Sequence, residues 1–303
     1  MRKRKSTNAW AKFPAALPAK YYTDIKPIVS KLRRLMNEIV FAELPKWTKN
    51  EYVPDVSMDD AVTEKIGKTF HKLRVNYFGQ EYPLDGDIKT IEFRNLVENQ
   101  LVTTAASFAK FHKTRFSANQ NFVIGVNPLQ SEPWLKAYIK DWTAKNVLLI
   151  KNIPLVTIDE MQKTVIESVI KGESTTALRW KIQQNLGLAE TRAQLIARDQ
   201  TSKFYGTLTE LRSKFNGWDF YEWNGVGPGG NERPDHLRLN NKIFRFSQPP
   251  VTVTTGKRAG ERNNPGQDIN CQCVPIIIFD RELIVQLVKQ PDGSYAKPKQ
   301  LAA

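Results

Sequence analysis

The sequence predicts an α+β protein, with mainly α-helical N-terminal two thirds followed by a small antiparallel β-containing C-terminal domain. Up to about residue 215, apolar residues recur at three- and four-residue spacing, the period of a helix face. After Gly217 the pattern changes to short β-branched and aromatic runs bounded by Gly, Pro and Asn. The same C-terminal stretch concentrates chemistry: Trp218, Phe220, Tyr221 and Trp223, a Gly-rich turn, a polar block, and both cysteines of the chain, Cys271 and Cys273.

The helices are justified in order. Pro27 suits a first turn, and Ile28, Leu32, Leu35, Met36, Ile39 and Val40 form a stripe that Pro45 ends. Ser57 and Asp60 resemble a capping box ahead of Val62, Ile66, Phe70, Leu73 and Tyr77, and Gly79 closes that helix. A third helix is expected from about Ile88 to His112, with residues 114–130 as a connection. From Pro133 a helix reaches about Ile150 and stops at Pro154; Ile158 to Ile170 form another, ended by Gly172. Ser174 and Thr175 cap the next, which carries Leu178, Ile182 and Leu186 and ends at Gly187. A longer helix spans Ala189 to Phe215. Strands are expected at Phe220–Trp223, Lys242–Phe246, Val251–Thr254 and Val274–Phe279, with a final pair around the Pro291-Asp292-Gly293 turn.

The stripes of the second and third helices are expected to pack on each other; for residues 1–45 a core within the chain and a partner's helices remain alternatives.

Charge narrows the partners. The chain carries a net +14, and residues 1–50 hold twelve Lys/Arg against three Asp/Glu, a net +9. Arg2, Lys3, Arg4 and Lys5 open a basic arm that reads as flexible through its Pro/Ala stretch. This balance points to a polyanionic surrounding, nucleic acid or an acidic protein face, with a solvated basic surface as the plain alternative. No apolar core of a secretory signal follows the arm, and no run approaches the ~18 apolar residues of a membrane span. Two cysteines make no disulfide framework.

Candidate sites come with their plain readings. His236, Cys271 and Cys273 are imidazole and thiolate groups suited to zinc, with Asp235 or Asp268 to complete four ligands. Against this, Cys-x-Cys is not the usual Cys-x-x-Cys knuckle, so buried thiols packing as small hydrophobes is the favoured reading, and no cofactor is the default. On an extended strand the two thiols share one face. A Cys271–Cys273 disulfide ring is too short. Lys257, Arg258 and Arg262 sit in a Gly-rich loop that faces phosphate or a partner, or is a solvated tip. The aromatic cluster could stack bases, but at strand spacing it reads as core. Gly225-x-Gly227-x-Gly229-Gly230 lacks the strand–loop–helix context of a phosphate cradle.

Several of these features recur in order: WTAKNVLLIKNIP from Trp142, a turn at Gly172-Glu173-Ser174, TRAQLIARDQ, Trp223, NERPDHLRLNNKIF, Gln248-Pro249-Pro250 and PGQDINCQC. In this order, residues from Trp142 to Phe279 resemble the Mu F-like family of phage head morphogenesis (minor head) proteins. Trp223, Arg233, Asp235, His236, Cys271 and Cys273 match its motif positions, while Asp199 and Gln272 depart from it. The resemblance implies a virion component rather than an enzyme, located inside the head or at the portal vertex. Its implied partners are the portal protein, other head proteins and, through the basic surface, double-stranded DNA, with a role in head assembly and in DNA packaging or ejection. Residues 1–130 show no family signature; composition and periodicity divide the chain into a basic arm (1–27), a helical region (28–130) that could dock the portal or another partner, the head morphogenesis domain (131–290) and a mobile tail (291–303). The rival readings are a metal-dependent nuclease built on Glu232, Asp235, His236 and Asp268, and a free DNA-binding protein.

Overall fold

A computed structural model describes residues 12–48, 56–79, 91–124, 132–225 and 232–297. Arg2 to Lys5 lie outside these residues, as do the turn positions from Val226 to Asn231; the side chains of Ser57 and Asp60 also lie outside the description. The helices are α1 (Ala16–Leu35), continued by a π-helical turn (Met36–Val40), α2 (Leu44–Trp47), α3 (Val56–Phe78), α4 (Ile91–Ile124), α5 (Leu135–Ile170) and α6 (Thr175–Phe215). Strand β1 (Phe220–Asn224) precedes a single turn of helix, α7 (Pro234–Leu237), then β2 (Ile243–Arg245), β3 (Val274–Ile277), α8 (Arg281–Val285), β4 (Val288–Lys289) and β5 (Tyr295–Ala296). The α+β class is as the sequence predicts. Among the described residues, no helix is long and apolar enough to cross a membrane.

The chain divides into two compact units. One is built from Lys20–Thr104 and Tyr138–Ala197 and is helical. Its core takes Tyr21, Ile25, Leu32, Met36, Phe70, Leu73, Tyr77, Ile158, Met161 and Leu178. The stripe of α1 is therefore buried within the chain, and α1 starts at Ala16, inside the stretch read as a flexible arm. Tyr21 Oη donates to Asn146 Oδ1 at 2.6 Å, and Asn146 Nδ2 donates back along its own helix to Trp142 O at 2.9 Å. A buried asparagine is thus satisfied on both sides.

One expected helix start and two expected helix ends do not occur. Pro27 lies inside α1 and Pro154 inside α5, and α6 runs through Gly187. An interior proline costs ~3 kcal/mol and an interior glycine ~1 kcal/mol. Around Pro154 the side chains of Ile150, Ile153, Thr157, Ile158 and Met161 are all buried, and each buried aliphatic returns roughly 1.5–3 kcal/mol. Tertiary burial outweighs the local preference. Helix α4 likewise continues past His112 to Ile124, because Phe116 is fully buried and stacks on His112 at 5.8 Å.

The other unit takes, among the described residues, those up to Ala19, those within 105–137 and those from Arg198 onward. Its sheet is antiparallel throughout, in the order β3-β1-β2-β5-β4. The alternation in β1 is legible in burial: Tyr221 and Trp223 face a core with Leu239, Phe244, Phe246, Cys271 and Cys273, while Phe220 and Glu222 are half-buried. Burying a ring of this size removes roughly 150–250 Å² from water, about 4–6 kcal/mol gross at 25 cal/mol per Å². Base stacking, at ~1–3 kcal/mol per base, could not draw these rings out. Val251–Thr254 is not a strand; after Pro249-Pro250 it makes one bridge, Val251 to Arg262, in a loop closed by Thr252 N–H on Glu261 O and Gly260 N–H on Val253 O.

Two constraints hold this unit together. At Gly206 in α6, an added Cβ would lie 2.5 Å from Pro265 O and 3.3 Å from Gly266 Cα. Gly266 itself has φ +83°, and its own Cβ would meet Ser202 O at 3.0 Å. The backbone of the 264–273 loop rests directly on the helix. The second is a buried ionic cluster: Arg212 donates from Nε and Nη2 to Glu132 at 2.6 and 2.9 Å, from Nη2 to Ala109 O, and from Nη1 to His112 Nδ1 at 2.7 Å. With Nδ1 accepting, the His112 proton sits on Nε2 and goes to Thr209 Oγ1 at 2.8 Å. Burial first, then the Arg212 and Arg115 charges, hold His112 well below its ordinary value of 6.5.

The two glycines of α6 therefore have opposite predicted signs. Nothing lies within 4 Å of a Cβ at Gly187, so Gly187→Ala should raise stability by roughly 0.5–1 kcal/mol, whereas Gly206→Ala should lower it by at least ~1–3 kcal/mol. Thermal melts of the two variants check this, and a shared sign would refute the packing. His112 is neutral when folded, so the unfolded chain alone takes up its proton near pH 6.5. Stability from this residue is full above that pH and is lost as pH falls, with a slope of at most about 1.4 kcal/mol per pH unit. His112→Gln should flatten the urea-stability profile between pH 7.5 and 5; parallel profiles would remove the role given to His112.

Candidate functional site

His236, Cys271 and Cys273 come together, and on the cysteine side this follows from how α6 fixes the 264–273 loop. Glu210 Oε2 accepts from Asn264 Nδ2 at 3.1 Å and from Gln267 Nε2 at 2.6 Å. Asn264 is buried, accepts from Tyr221 Oη at 2.9 Å and donates to Phe246 O. Asp199 Oδ1 accepts the Asn270 N–H at 2.7 Å and so holds Asn270 at φ +53°, just before Cys271. Asp199 thereby acquires a role: it anchors the turn that presents the cysteines.

On the other side, Arg233 is extended and Pro234 starts α7, which places His236 on its single turn. The imidazole packs edge-on against Trp223, with ring centres 5.5 Å apart. Its two nitrogens face different groups. Nε2 lies 3.3 Å from Asp268 Oδ2, and Nδ1 lies 3.5 Å from Cys271 Sγ and 3.7 Å from Cys273 Sγ. All three residues are buried, their ligand atoms lie within 4.8 Å of one another, and both cysteines are free thiols. Cys271 and Cys273 lie just before β3, and both sulfurs face His236 Nδ1.

The carboxylates take distinct places. Asp268 is a buried hub: Oδ1 accepts from Arg258 Nη2 at 2.9 Å and from Ile269 N–H at 2.7 Å, and Oδ2 faces His236 and Arg233 Nη1 at 3.3 Å. Burial alone would raise its pKa; Arg258, the Ile269 N–H, His236 and Arg233 together hold it below the ordinary carboxylate range. Asp235 accepts from Thr254 N–H and hydroxyl, which lowers it. Neither Asp235 nor Asp268 therefore stands beside the sulfurs as a fourth ligand. The carboxylate that does is Glu232, whose Oε1 lies 3.6 Å from Cys273 Sγ. Its place could not be read from spacing, because sequence distance from Cys273 says nothing of where residue 232 lies in space.

Burial would lower His236, but Cys271 and Asp268 outweigh it and hold the imidazole above its ordinary value. Of the thiols, Cys271 gives up its proton first, stabilised by Cys273 and then His236, and Cys273 is pushed up by that neighbour and by burial. The Trp223 indole N–H is buried without a hydrogen-bond partner among the described residues. His236, Cys271, Cys273 and Glu232 line a cavity of about 430 Å³ together with Arg198, Arg233, Pro234, Asn270 and Gln272.

The basic loop is less available than its composition implies. Arg258 is spent on Glu261 and Asp268, and Arg262 Nη1 donates to Pro249 O at 3.0 Å while its residue stays exposed. Lys257 is exposed.

Comparison with known proteins agrees with the order of motifs. A Haemophilus influenzae protein named only as uncharacterized is 30% identical over 161 residues, 53% of this chain and 33% of that protein. The chain thus spans about a third of the length of this relative. No solved structure matches the chain. A family model described as Phage Mu protein F like protein matches residues 159–276, which run from α5 through α6, the first strands and the His–Cys–Cys cluster into β3. This match lies within the stretch from Trp142 to Phe279 whose motif order resembles the same family.

Proposed function

We propose that this chain is a structural minor head protein of a phage, built in at or near the portal vertex, where it aids head assembly and the packaging or ejection of DNA. The family match over residues 159–276 carries the reading; this family is one of phage head morphogenesis. Its partners in this reading are the portal protein and other head proteins. The net charge of +14 supports a position beside packed DNA, where phosphates attract without regard to sequence and binding weakens with salt. A nuclease would need several carboxylates converging on a metal. Asp235 is hydrogen-bonded to Thr254 and Asp268 to two arginines, which favours the structural reading over that one.

The test is the number of copies per purified virion and per empty prohead, by quantitative mass spectrometry. A low, fixed number in both is expected; absence from both, with the chain abundant in infected cells, overturns the proposal. Removing residues 1–12 should weaken DNA retention across a salt titration at unchanged melting temperature. Retention equal to that of the full chain would take the arm out of DNA binding.

A further inference from the structure

The geometry points to a three-ligand site for zinc, or a divalent transition metal of similar softness, formed by His236 Nδ1, Cys271 Sγ and Cys273 Sγ, with its fourth position open to the cavity. Distances carry the argument. Zinc binds thiolate at ~2.3 Å and imidazole at ~2.0–2.1 Å, so the sulfur–nitrogen edge of a tetrahedron is ~3.5 Å. The two observed edges are 3.5 and 3.7 Å. Three buried donors within 4.8 Å of one another, with both sulfur–nitrogen distances near that edge, are more than the packing of two small hydrophobes requires.

The histidine is oriented for the task. With Asp268 Oδ2 at its Nε2, the imidazole proton belongs there, and the Nδ1 lone pair is left facing both sulfurs. A carboxylate behind a ligating histidine is the usual outer partner of zinc, and it fixes both the tautomer and the ring. Without a cation, Nδ1 can accept from only one of the two thiols. A metal engages both at once.

Charge and donor type select the ion. Two thiolates and an imidazole are soft, which disfavours magnesium and calcium and suits zinc. Two thiolates neutralise its double charge, and Arg198 and Arg233 on the cavity wall offset Glu232. The open position would hold water or Glu232 Oε1, which already stands 3.6 Å from Cys273 Sγ. Bound metal would also tie the 264–273 loop to α7, the two pieces that supply the ligands.

Cobalt(II) is the probe, added to the reduced, untagged full chain. One equivalent should produce thiolate-to-cobalt charge-transfer and tetrahedral d–d absorption, and one equivalent of zinc should displace it. Cys271→Ser and Cys273→Ser should each lose the charge-transfer intensity in part, and the double variant wholly. Asp268→Asn should keep the intensity but weaken affinity ~10–100-fold. If the cysteine variants fail to fold, the wild-type titration decides alone. No charge-transfer band in wild-type chain with two titratable thiols overturns the site, as does a band that persists in a folded double variant.

Discussion

The C-terminal unit depends on one steric condition: at Gly206 and Gly266, helix and loop touch backbone to backbone. A carbonyl oxygen occupies the space where any other residue at 206 would carry its Cβ. Contact at this range lets short polar side chains finish the work. Asp199 and Glu210 lie on α6 seven residues before and four residues after Gly206, and both capture loop groups, the Asn270 N–H and the Asn264 and Gln267 amides. Longer side chains could span a wider gap, but at a greater loss of rotamer freedom. The glycine contact thus sets the height of the loop, and the acids set its position along the helix.

From this the geometry of the cluster follows. The loop delivers Asp268, Cys271 and Cys273 from one direction, and the turn at Pro234 delivers His236 from another. Asp268 is the joint between them, since its two oxygens serve His236, Arg233, Arg258 and a backbone N–H. A buried carboxylate is tolerated only with such a set of donors. The buried Tyr221 is tied to the same loop through Asn264, so the sheet core and the site share their supports.

Much of this was legible in the sequence, and the exceptions have physical causes. Apolar spacing located the helices because each stripe is buried, and the alternation of Tyr221 and Trp223 gave the inner face of β1. The turn at Pro291-Asp292-Gly293 joins β4 and β5 as its residues require, with Gly293 at φ +82°. Pro27, Pro154 and Gly187 misled because breaker signals are local, while the energy that carries α1, α5 and α6 through them is tertiary. In the site, composition singled out His236, Cys271 and Cys273, but not which carboxylate stands behind the ring and which beside the sulfurs. Asp235, Asp268 and Glu232 are chemically alike; only the path of the loop tells them apart. Arg258 reads as a cation for a partner, and its partners turn out to be Glu261 and Asp268.

The cluster around Arg212 has a consequence for how the chain is made. Phe108, His112 and Phe116 on α4 find their partners, Phe204, Tyr205, Thr209 and Arg212, about ninety residues later. At ~5–20 residues per second of synthesis, that stripe waits roughly 5–20 s for its cover. During that interval a nascent chain presents aromatic surface and an unneutralised Glu132. The order in which the ribosome releases this sequence therefore makes the stretch from Phe108 to Glu132 a natural ground for chaperone capture.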